Sequence, residues 1–140
     1  MKFLLGILLI LSMMGGVMDP AQATGESEAA MMGNRATQQV IVSGSPAQVL
    51  PAAAKAFESW KRGQLVSVAE PDLQVKGLSR TNFFKFIDDI TVSLQPLPGD
   101  ASQTQVEITS VGRMGEYDFG GNQRNIDEYL ATLRSLLPKG

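Results

Sequence analysis

Residues 113–126 read RMGEYDFGGNQRNI, a dense group of side chains between a strand-like run and a helix-like run. Arg113 and Arg124 offer guanidinium forks that match a carboxylate or phosphate. Tyr117 brings a phenol, Asp118 a carboxylate and Asn122 an amide. A secondary group lies upstream, the neighbours Asp88-Asp89 with Arg80 as a further cation. The chain has no histidine and no cysteine, so the usual general base near neutral pH and any thiolate nucleophile or ligand are missing. Only carboxylates, Lys, Arg, Tyr, Ser and Thr remain for chemistry.

Each group has a chemical and a structural interpretation. Asp88-Asp89 could share acid and base roles, but neighbours on a strand point to opposite faces, so the two carboxylates should diverge. One is expected in solvent and the other bonded to local backbone or to Arg80 or Arg113. The pair lacks a second acidic cluster at metal-binding spacing, and no cofactor is expected. The glycines at 112, 115, 120 and 121 fit neither a Walker loop nor a dinucleotide fingerprint. A helix N-terminus beside Arg113 and Arg124 could nevertheless hold an anion. Asp118 and Asn122 suit Asx-turns and helix caps. The stretch therefore reads first as a specified strand-to-helix corner and second as a recognition surface.

The elements that position these residues follow from periodicity. "QQVIVSG" is a β-branched strand near 38–43. Ser45 is set to cap a helix with Pro46 at its first position. Val49, Leu50, Ala53, Phe57 and Trp60 mark its buried face, and Gly63 its expected stop. Pro51 should kink this helix, or the stable helix starts only there. Four strand-like runs follow, two of them separated by Glu70-Pro71 and the last two by the turn "LPGDAS". A final helix carries Ile126, Tyr129, Leu130, Leu133 and Leu137 on one stripe. Strands joined by short turns must pair antiparallel. The expected fold is thus α+β, a two-layer sandwich with two helices on one face of an antiparallel sheet of about five strands, in the order β-α-β-β-β-β-α. Trp60, Phe83, Phe84 and Phe86 read as core, with the lining of a ligand cavity as the alternative.

At 140 residues, net charge -2 and pI near 5.1, the chain has room for one domain and no basic footprint for nucleic acid. It opens with Lys2, an apolar run from Phe3 to Met18, and Ala21-Gln22-Ala23. That is the order of a secretory signal, and the run is short of the roughly 20 residues that span a bilayer. The expected organisation is a signal peptide at 1–23, a flexible leader at 24–37 and one domain at 38–138, with no integral membrane segment after cleavage.

"FKFIDDITVSL" followed by "VEITSVGRMGEYDFGGNQRNIDEYL" resembles the domain of unknown function 1499 family. Asp88-Asp89 match its acidic pair; Ser110, Arg113 and Gly115 match its strand end; Asp118, Gly120, Asn122 and Ile126 match its helix start. The arginine of the last segment is missing: position 125 is Asn, with Arg124 one place earlier. The resemblance implies an exported bacterial or plastid protein, hence the periplasm or, in a photosynthetic organism, the thylakoid lumen. It implies no activity. Without a recognised catalytic motif, the expected function is non-enzymatic binding of a protein partner in an envelope or lumenal complex. The alternatives are a small-ligand or lipid carrier with a pocket between sheet and C-terminal helix, and a hydrolase using Asp and Arg.

Overall fold

The computed structural model describes residues 33–81, 86–114 and 120–139. The β-branched opening run forms β1 (Arg35–Ser43). It starts three residues ahead of Gln38 because Arg35, Ala36 and Thr37 find partners in Val111, Ser110 and Thr109. Alternation within one strand cannot reveal that added pairing. Ser45 then caps α1 (Pro46–Ser59) through a capping box: its Oγ accepts from the Gln48 N–H, and its own N–H donates to Gln48 Oε1.

Helix α1 begins at Pro46 and runs on through Pro51. The carbonyl that Pro51 leaves without a donor belongs to Ala47 in the first turn, where the chain is exposed to water. The helix ends at Ser59, earlier than Gly63, because Trp60 turns into extended backbone. Gly63 instead opens β2 (Gly63–Ala69), followed by β3 (Gln74–Arg80), β4 (Ile87–Leu97) and β5 (Asp100–Gly112). The last element is α2 (Gly121–Leu136). The five strands lie in the order β1-β5-β4-β3-β2, every neighbouring pair antiparallel. This is the expected α+β fold.

The register aligns Ile90, Val92 and Leu94 with Ser110, Ile108 and Val106 on one face of the sheet, and the two helices pack there. Val49, Ala53 and Phe57 from α1 meet Ile126, Tyr129 and Leu133 from α2, all with no exposed surface. Phe57 lies directly on Gly77, where any Cβ would overlap its ring, so only glycine admits this approach. The Phe57 and Tyr129 rings stand 4.7 Å apart. Burial pushes the Tyr129 phenol far above its ordinary pKa, and its hydroxyl is satisfied by donating to the Ala53 carbonyl at 2.7 Å. Trp60 belongs to this core, at 5% exposure, but Phe86 does not, at 48%. Phe86 stands just before β4. Phe83 and Phe84 lie outside the described residues. Among the described residues, no helix is long and apolar enough to cross a membrane.

Candidate functional site

The first turn of α2 brings polar side chains into the apolar layer. Gly120 adopts φ 87°, a left-handed conformation that suits glycine, and stands as the N-cap without a side-chain bond. Asn122 is therefore not the cap. The reversal at Gly120 starts the helix at Gly121 and turns Asn122 inward, onto the same stripe as Asn125, Ile126, Tyr129, Leu130 and Leu133. Asn122 and Asn125 are both fully buried.

Their amides join three elements. Ser110 Oγ of β5 donates to Asn122 Oδ1 at 2.7 Å, and Asn122 Nδ2 donates to Asn34 Oδ1 at 2.8 Å. Asn125 Nδ2 donates to Asp88 Oδ2 on β4 at 2.7 Å and to Ser110 Oγ at 3.1 Å. Asn125 Oδ1 accepts from Arg62 Nη2 at 2.7 Å. Buried polar groups bonded in this way are cheap to keep and costly to orphan. One hydroxyl on this face is left out: Ser79 Oγ, in the row between Gly63 and Asp88, is buried without a hydrogen bond among the described residues.

Arg62 connects the network to solvent. Its Nε and Nη2 donate to Glu128 Oε1 at 3.0 and 2.8 Å, and its guanidinium lies 5.2 Å from the Trp60 ring centroid. Trp60 Nε1 donates to the same Glu128 oxygen at 2.8 Å. Burial raises the pKa of Glu128, but the hydrogen bonds from Trp60 and Arg62 and the charges of Arg62 and Arg124 outweigh it. The net result is a carboxyl held below its ordinary value. Around this pair opens a cleft of about 300 Å³ lined by Trp60, Lys61, Arg62, Arg124 and Glu128.

The candidates taken from sequence scatter across the two faces of the sheet. Asp88 and Asp89 diverge, as strand geometry requires. Asp88 reaches inward to Asn125, while Asp89 receives Arg113 Nε and Nη2, each at 2.8 Å, on the open face. The hydrogen bonds from Arg113 hold Asp89 below its ordinary pKa, and the same bonds hold Arg113 charged. With its fork committed there, Arg113 does not join Arg124 around a common anion. Arg80 is exposed and donates to Gln64 Oε1 at 3.3 Å. Tyr117 and Asp118 lie outside the described residues. Among the described residues, no three acidic side chains converge to hold a metal.

Arg62, Asn125, Glu128 and Lys61 were not among the sequence candidates. Asn125 carried a readable signal, a polar residue at a core position of an amphipathic helix. Arg62 and Glu128 carried none, being ordinary charged residues 66 positions apart.

Fold and site together define a two-layer α+β domain with a polar, cation-lined corner where the N-terminal half of α2 meets the end of α1. The chain belongs to the family described as Protein of unknown function (DUF1499), which it matches over residues 18–133. The family resemblance calls for arginine at position 125; here the Asn125 amide bridges Asp88 to a guanidinium supplied by Arg62. No curated protein matches the chain. In fold it is similar to a protein from Nitrosospira multiformis, with TM-score 0.54 and 10% identity over 75% of this chain and 97% of that one. It is also similar to an uncharacterised protein from Bacillus thuringiensis, with TM-score 0.52 and 11% identity over 73% and 95%. A third likeness is to the di-domain ARO/CYC BexL from the BE-7585A biosynthetic pathway, with TM-score 0.51 and 14% identity over 72% and 45%. At these identities the likeness is one of fold.

Proposed function

We propose that this chain is an exported, non-enzymatic binding domain that engages a protein partner. The observation that carries this reading is the filled layer between α2 and the sheet. Phe57, Ile126, Tyr129 and Leu133 are fully buried there, with two of their rings 4.7 Å apart. A carrier encloses most of its cargo in an apolar cavity, and these side chains occupy the layer where such a cargo would lie. Solvent meets a corner rich in cations instead, and arginine is prominent among the residues that dominate protein interfaces. The apolar N-terminal run followed by Ala21-Gln22-Ala23 supports export.

Crosslinking in the native host, followed by purification and mass spectrometry, tests this reading. The expected result is one reproducible protein adduct whose crosslinks map to the surface of residues 33–139. Native mass spectrometry of the purified chain provides the counter-test. A constant small-molecule mass increment that persists through purification would replace the partner reading with the carrier.

A further inference from the structure

We infer that the cleft lined by Trp60, Lys61, Arg62, Arg124 and Glu128 is an anion site that receives the carboxylates of an acidic segment of a protein; this rests on the partner-binding reading above. The charge of the cleft runs against that of the chain. The whole molecule carries -2, whereas the cleft sets three cations against one carboxylate. That carboxylate is already engaged, since Trp60 and Arg62 converge on Glu128 Oε1. Lys61 and Arg124 are exposed and make no side-chain hydrogen bond or ion pair among the described residues.

The parts differ usefully in stiffness. The Arg62 side chain is 11% exposed and pinned by Glu128, Asn125 and the Arg80 carbonyl, so it fixes the wall of the cleft and neutralises Glu128, leaving the charges of Lys61 and Arg124 for a ligand. Lys61 and Arg124 supply reach. The first turn of α2 contains no acidic residue of its own. The cleft is small, about 300 Å³, which favours separate carboxylates on a peptide over an extended anionic surface. The net charge of -2 likewise offers no basic footprint for a membrane or a nucleic-acid backbone laid across the corner.

The test follows ¹⁵N-labelled protein by NMR during titration with acetylated hexaglutamate, with inorganic phosphate, phosphatidylglycerol vesicles and hexalysine in parallel arms. Hexaglutamate is expected to move the Trp60 indole N–H and the amides of Lys61 and Arg124, and to lose affinity as salt rises. The double variant Lys61→Glu/Arg124→Glu should bind about tenfold or more weakly with an unchanged melting temperature. If that variant loses its fold, Lys61→Gln/Arg124→Gln takes its place and should still weaken binding several-fold. The inference is overturned if hexaglutamate moves none of these signals, or if phosphate or vesicles bind the cleft more tightly than hexaglutamate does. Crosslinking separates the two readings. A partner captured equally well by wild type and double variant keeps the partner-binding role and removes the cleft from it. Hexaglutamate binding at the cleft without any captured partner keeps the site and removes the role.

Discussion

On the covered face of the sheet Ser110, Asn122 and Asn125 are fully buried, with both asparagines bonded to the serine. On the open face Thr37 and Thr109, and Gln39, Gln95, Gln105 and Glu107, form a comparable ladder in contact with water. Among the described residues, each side also carries one arginine–carboxylate pair at 2.8 Å. Arg62–Glu128 has side-chain exposures of 11% and 41%, and Arg113–Asp89 of 51% and 52%. Bond lengths do not distinguish the two faces. What distinguishes them is what remains when a partner is removed, since water replaces a lost bond on the open face and cannot reach the fully buried Ser110, Asn122 and Asn125.

The strongest way to break this comparison is a charge on the covered face. Leu133→Asp should cost about 3 kcal/mol or more, because it buries an unpaired carboxylate, while Thr109→Asp on the open face should cost only about 1 kcal/mol, from the lost bond to Thr37 and the lower strand preference of Asp. Equal urea midpoints for the two variants would show that α2 does not pack as described. Asn122→Ala comes next. It removes the acceptor of a buried serine hydroxyl and should cost about 1–3 kcal/mol, measured by the same unfolding curve. A loss below about 0.5 kcal/mol, less than even a helix cap supplies, would mean that Ser110 re-pairs.

Glu128 sharpens the comparison through pH. Its folded pKa lies below the ordinary 4.5, so the stability contributed by its ionised form is fully present above that value. It is lost as pH falls through the folded pKa. Glu128→Gln should therefore show a shallower loss of melting temperature below about pH 4.5 than the wild type. Parallel curves on the acid side would mean that Arg62 and Trp60 do not hold the carboxylate.

Ser79→Ala has the opposite sign. Its hydroxyl is buried without a bond among the described residues, so its removal should stabilise by about 0.5–1 kcal/mol, and a destabilisation in calorimetry would reveal a partner for it. Smallest of all is Arg113→Ala, where both partners are about half exposed. The melting temperature should stay within about one degree; a fall as large as that of Asn122→Ala would make the open face as demanding as the covered one.

Much of this molecule is local and was legible. The cap at Ser45, with Pro46 next to it, is a local signal, whereas the answering bond from Gln48 was not read; the inward stripe of α2 shows as a 3.6-residue period. The divergence of Asp88 and Asp89 follows from the two-residue period of a strand. Short turns forced β2 to β5 into antiparallel succession. The corner at 113–126 was legible only in part. Its composition marks a strand-to-helix junction, but a left-handed Gly120 moved the helix start and converted Asn122 from an expected cap into a buried connector.

The sequence by itself therefore determined the order of elements, the faces of both helices and the polarity of the two sides of the sheet, because each is encoded by residues a few positions apart. Only the tertiary structure decided that β1 closes on β5, that Arg62 reaches Glu128 and Asn125 across 66 and 63 positions, and that Arg113 and Arg124 serve different surfaces. Those outcomes depend on which distant chain segments share a face once the sheet has formed, and no local period or motif records the partner of a charged side chain.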